Sequence, residues 1–131
     1  MIPCLRYVDA PAAIAFLRDA FGFAEHLVVP DAEGGILHAQ LVLGHGMVML
    51  GSASNPPIAD WLTAARLGGV SGCIHVMVPD ADAHHAIAMA QGATILEAPS
   101  EQSHGGRNYL ARDPEGNLWS FGTYDPWAPQ P

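Results

Sequence analysis

Apolar and polar residues follow one another along this chain in two similar rounds. Residues 2–8 (Ile-Pro-Cys-Leu-Arg-Tyr-Val) form a short apolar run that predicts a strand, with Pro3 tolerated near its start. Asp9 then fits a helix N-cap and Pro11 the first helical turn. Ile14, Leu17 and Phe21 recur on one face, and Gly22 ends the helix. Residues 25–30 and 36–43 predict strands on either side of the Asp31–Gly35 turn. Gly44-His45-Gly46 predicts a tight hairpin into a strand over 47–51. A joining segment over 52–71 follows, with loop chemistry over Ser52–Pro57 and room for one or two helical turns over 60–67. The order then repeats. Residues 73–78 predict a strand, Asp80 caps a helix through Gln91, and Gly92 stops it. Strands are predicted over 94–97, 108–112 and 118–124, with Pro99–Gly106 as a polar loop and Asp113-Pro114-Glu115-Gly116 as a turn.

The chain therefore reads as α+β: two βαβββ modules, over about 1–51 and 72–125, in one domain over 1–125, with an irregular tail over 126–131. Ile2 precedes Asp9 by seven residues and Cys73 precedes Asp80 by seven, so both halves share one spacing and predict a pseudo-twofold pair. Each module has one helix to cover one sheet face, and its other face must meet another module or a ligand.

Composition narrows the picture. A chain of 131 residues, half of them hydrophobic, builds a core without staples. Thirteen acids against five basic residues give a net charge of −8, which repels phosphate backbones and anionic headgroups; nucleic acid and membrane are set aside as partners. Cys4 and Cys73 lie in apolar strand-like runs and are expected to be buried free thiols. No basic n-region with a long apolar h-region opens the chain and no apolar run reaches membrane-spanning length, so a cytoplasmic location is expected.

The stretches Asp9-Ala10-Pro11-Ala12-Ala13-Ile14-Ala15-Phe16, Ala20-Phe21-Gly22-Phe23, Gly106-Arg107 and Arg112-Asp113-Pro114-Glu115-Gly116-Asn117-Leu118-Trp119-Ser120-Phe121 resemble the vicinal oxygen chelate superfamily of glyoxalases, bleomycin-resistance proteins and dioxygenases. The closing stretch resembles its DPxG hairpin, and the Trp-Ser form its PhnB-like, glyoxalase-like branch. The resemblance spans residues 1–125. It implies a cupped, open-barrel mixed sheet with helices on the convex face, and a homodimer in which Trp61, Leu62 and Trp127 are candidate contacts. It also implies metal ligands on the first and last strand of each module. Those positions fall on Ile2, Cys73, Met49 or Leu50, and Ser120, which make no site for a hard divalent metal, so no metal cofactor is expected. The departure weighs against glyoxalase I chemistry, which needs a metal and a Glu base.

Strand alternation nominates the residues inside the cup. Cys73, His75 and Met77 share a face, as do Ile2, Cys4 and Arg6. His38, Gln40 and Val42 share another, opposite Leu37, Ala39, Leu41 and Leu43, which should meet the helix. Arg107, Tyr109 and Ala111 are placed inward, with Leu118 and Ser120, while Trp119 and Phe121 pack under the helix. Met47, Met49, Met77, Leu118 and Tyr109 would be soft walls, and Arg6, His38, Gln40, His75 and Arg107 polar fixtures, the usual make-up of a small-molecule site. His38 and His75 fit either core histidines bonded to neighbours or ligand contacts and general acid–base groups; a metal site of His38, His75 and Glu97 is a further alternative. Arg107, after Gly105-Gly106, either clamps an anion or pairs with surface acids. His84-His85 reads as a solvated helix face, and Arg112-Asp113 as a structural turn pair.

Three functions fit: a metal-free protein that binds and sequesters an antibiotic or metabolite, a glyoxalase-like lyase or isomerase with His38 or His75 as base and Arg107 on an oxyanion, and a structural dimer with a vestigial cup.

Overall fold

Two aspartates open the long helices. The Asp9 carboxylate accepts the Ala12 N–H at 3.1 Å, and Asp80 accepts that of Ala83 at 3.0 Å. Gly22 closes the first helix in the left-handed region (φ +82°), where a side chain would be strained. The computed structural model describes residues 1–54 and 56–129; Asn55 of the joining segment and Gln130 and Pro131 of the tail lie outside the described residues.

The elements run β1 (Cys4–Tyr7), α1 (Ala10–Phe21), β2 (Ala24–Pro30), β3 (Ile36–Leu43), β4 (Gly46–Ser52), α2 (Ala64–Leu67), β5 (Ile74–Met77), α3 (Ala81–Ala90), β6 (Thr94–Glu101), β7 (Arg107–Arg112) and β8 (Leu118–Gly122). They form two four-stranded mixed sheets, ordered β1-β4-β3-β2 and β5-β8-β7-β6, each with one parallel pair (β1 with β4, β5 with β8). Among the described residues the two sheets share no strand pairing and no barrel closes. β6 runs on through Glu101, past the loop expected at Pro99. It is an edge strand, so the missing proline N–H is tolerated, and two register shifts absorb the irregularity.

The helices pack against each other, and α1 also touches its own four strands. Phe21 at the end of α1 meets Phe121 and Trp119 of the second sheet, with ring centroids 4.7 and 5.5 Å apart. One apolar cluster therefore runs through both modules, with Trp119, Tyr7, Tyr109, Phe21 and Phe121 fully buried.

Two polar clamps cross this core. The first centres on Asp113 in the β7–β8 turn, which is 4% exposed. Its carboxylate accepts the Tyr7 hydroxyl at 2.7 Å, the Trp119 indole N–H at 3.2 Å and the Asn117 side-chain N–H at 3.1 Å, together with the backbone N–H groups of Glu115 and Asn117. Next to it, the Glu115 carboxylate accepts the Val8 and Asp9 N–H groups at 2.6 and 2.9 Å, so the turn of the second module grips the β1–α1 junction of the first. The second clamp is His84 on α3. Its Nε2–H donates to the Phe21 carbonyl at 2.8 Å, an orphan acceptor at the end of α1, and its Nδ1 accepts the Tyr109 hydroxyl.

Several placements expected from the sequence are corrected. His84 is part-buried, not on a solvated face, because α3 lies against α1. Tyr109 and Ala111 are fully buried on the helix side of β7 and do not face inward to a cup. Arg107 shares their side and pairs outward with Asp82 of α3 at 2.7 Å and Glu101 at 3.7 Å. Leu37 is 53% exposed, and a register shift between β2 and β3 gives its buried place to Ile36. Cys4 and Cys73 are exposed: Cys4 lies on the open face of β1, and Cys73 lies in the irregular segment just before β5.

Replacing Asp113 with Ala leaves the Tyr7, Asn117 and Trp119 donors without a partner in the interior. A loss of about 3 kcal/mol or more is expected in urea unfolding, with Asp113→Asn losing less.

Candidate functional site

The sheet faces turned away from the helices carry the candidate chemistry. In the first sheet, Cys4 and Gln40 both pair with Met49, so these three share the open face; Leu50, one residue on, is buried. His38 and Gln40 meet there at 3.1 Å. In the second sheet, His75 pairs with Ser120 across the parallel ladder. The Ser120 hydroxyl donates to Asn108 Oδ1 at 3.0 Å, and His75 Nδ1 bonds the same hydroxyl at 2.9 Å. The serine proton is committed to Asn108, so its hydroxyl oxygen accepts from the imidazole Nδ1–H. Burial of the ring lowers the His75 pKa, and the nearby His104 adds to this against a backbone contact to Tyr124, so the ring is neutral at pH 7.

A cleft of about 1160 Å³ opens between β1, the β3–β4 turn, β5 and the start of β8. The joining segment flanks it with Trp61 and Leu62, and the tail with Trp127. Of the residues nominated from the sequence, Arg6, Met47, Cys73, His75, Met77 and Leu118 line its wall. His38, Gln40, Met49 and Ser120 lie on the open faces but outside that wall, so His38 and His75 do not share it. Arg107 and Tyr109 belong to the helix side. The Arg6 guanidinium lies 4.8 Å from the Trp61 ring centroid and donates to the Ser52 carbonyl at 3.4 Å. The Trp61–Arg6 contact is not legible in the sequence, where the joining segment has no period that fixes which way Trp61 faces.

The glyoxalase/bleomycin resistance protein/dioxygenase superfamily model matches residues 3–121. The chain belongs to that superfamily. Uncharacterized protein Mb0911c of Mycobacterium bovis is 36% identical over 122 residues, covering 92% of this chain and 80% of its own. The crystal structure of TioX from Micromonospora sp. ML1 superposes with a TM-score of 0.75 at 35% identity, over 93% of each chain. An E144Q glyoxalase I mutant from Zea mays aligns with a TM-score of 0.71 at 19% identity, over 92% of this chain and 43% of its own, a likeness of fold alone.

Many members of this superfamily hold a divalent metal, and the donor set here does not fit one. The positions that the resemblance nominates carry Ile2, Cys73, Met49 and Ser120; Met49 pairs with Cys4 on the open face, whereas Leu50 is buried. Among the described residues no three His, Cys, Asp or Glu side chains gather into a group that could hold a metal ion. The alternative set of His38, His75 and Glu97 is therefore not assembled.

Burial also lowers the His84 pKa, so the folded chain resists protonation there while the unfolded chain binds a proton near pH 6.5. Stability is complete above that pH and falls as the pH drops from about 6.5 towards the lowered folded value. Urea unfolding at pH 7.5 and 5.5 is expected to show this loss in the native chain and a smaller one in His84→Gln. An equal loss in both would remove His84 as the cause.

Proposed function

We propose that this member of the superfamily is a cytoplasmic small-molecule-binding protein that sequesters an antibiotic or metabolite, and that it does so without a metal. The observation that carries the reading is the cleft of about 1160 Å³, walled by Trp61, Trp127, Met47, Met77 and Leu118 with Arg6 and His75 as polar groups. Soft thioether walls and indole planes adapt to flat or irregular ligands, and a few polar groups orient them. The superfamily's description includes bleomycin resistance proteins, which supports a binding role. No helix among the described residues is long and apolar enough to cross a membrane. A homodimer is part of the reading, since the open face of each sheet is left for a second module to cover; sedimentation equilibrium is expected to return twice the chain mass.

A melting-shift screen of antibiotics and small metabolites tests it. A true ligand at about a hundred times its Kd stabilises the fold by about 2.7 kcal/mol. The shift is expected to persist in excess EDTA, with no turnover of the ligand. A shift abolished by EDTA would contradict the metal-free reading.

A second reading is favoured by the oriented His75. A neutral imidazole in the cleft wall, held by Ser120, which in turn is held by Asn108, is equipped to act as a general base in a lyase or isomerase. If it does, His75→Ala lowers turnover by about a hundredfold or more with the fold intact. Turnover insensitive to His75→Ala would remove this reading.

A further inference from the structure

The cleft wall has a charge pattern opposite to that of the whole chain. The chain carries 13 acids against five basic residues, all five of them arginine. Yet among the described residues no Asp or Glu side chain lines the cleft, and Arg6 is the one permanently charged side chain on its wall. Three other arginines have partners elsewhere: Arg18 with Asp19, Arg107 with Asp82, and Arg112 with the Gly116 carbonyl. Arg6 has no carboxylate within ion-pair distance among the described residues.

The guanidinium sits in a built cradle. It stacks on Trp61, and it passes directly over Gly51, where an added Cβ would stand 2.2 Å from Arg6 Nη1. Only glycine leaves that space. Of its five N–H donors, one makes a long bond, at 3.4 Å to the Ser52 carbonyl, and the buried Nε–H has no partner. A part-buried cation with unspent donors and no counter-charge calls for an acceptor from outside. Elsewhere the wall of the cleft carries the Trp127 indole and the thioethers of Met47 and Met77.

We infer that the cleft is selective for a planar aromatic ligand bearing an anionic group, and that Arg6, positioned by Gly51 and Trp61, is the specificity-determining residue. The inference rests on the reading of the cleft as the ligand site. It excludes a cationic ligand as the preferred one, despite the net charge of −8.

Three probes with one ring system test it: 2-naphthoate, neutral 2-naphthamide and 2-naphthylmethylammonium, measured by equilibrium dialysis against the full chain. Ionic strength is held near 0.15 M, where the Debye length of about 8 Å mutes the distant acids. The naphthoate is expected to bind about tenfold or more tighter than the ammonium. Arg6→Gln should bring the ratio close to one, with 2-naphthoate losing more affinity than 2-naphthamide. Gly51→Ala, which keeps the charge and displaces it, should reduce the preference several-fold. A preference for the ammonium, or a naphthoate preference that survives Arg6→Gln, would overturn the inference while leaving the ligand cleft in place. Failure of all three probes to bind would instead overturn the reading of the cleft as a ligand site, and the inference with it.

Discussion

The buried Asp113 carboxylate is the interaction on which the arrangement of the two modules depends. It accepts donors from β1 of the first module and from the turn and β8 of the second, while Glu115 beside it takes the N–H groups at the entry to α1. Burial and the adjacent Asp113 charge push the Tyr7 hydroxyl well above its ordinary pKa, so it stays a neutral donor at any physiological pH. A carboxylate surrounded by donors is tolerated in the interior, and donors without it are not. His84 does the same work at the far end of α1, where it satisfies a helix carbonyl and holds the Tyr109 hydroxyl.

The consequence for function follows from which faces these clamps use. Both helices and the aromatic faces of both sheets are committed to the interior. The faces left over are those that carry His75, Met77, Met47 and Arg6, and the joining segment supplies Trp61 against them. The position of the cleft is thus a by-product of how the core is closed, and its chemistry is free to vary from one superfamily member to another. In this chain the positions that the resemblance nominates for metal ligands carry Ile2, Cys73, Met49 and Ser120, while one arginine is cradled between Trp61 and Gly51.

Much of the fold was legible because local signals agreed with one another. Asp9 and Asp80, at one spacing from apolar strands, gave both helices, and the DPxG hairpin gave the last strand pair. β7 was misread because Arg107-Asn108-Tyr109-Leu110-Ala111-Arg112 places an apolar residue on both parities. Hydropathy cannot choose a face there; the hydroxyl partner of Tyr109 does, and that partner is 25 residues away in sequence. A signal for His84 was present: it stands three residues after Ala81 and four before Ala88, the two buried positions of α3, so it lies on the same helical stripe. The thiols were misplaced because a cysteine reads as a small hydrophobe whichever face it occupies. The contact of Arg6 with Trp61 joins a strand to an irregular segment and left no periodic trace.

Under the proposed function, a ligand binds in the cleft while the clamped core stays closed. The three tryptophans report on both at once, since Trp61 and Trp127 line the cleft and Trp119 donates its indole N–H to Asp113. The measurement that tests this most directly is the ¹⁵N-indole NMR spectrum during titration with 2-naphthoate. The Trp61 and Trp127 resonances are expected to move together with one saturation curve while Trp119 stays in place and exchanges slowly with solvent. Movement of Trp119 with the cleft tryptophans unperturbed would contradict it.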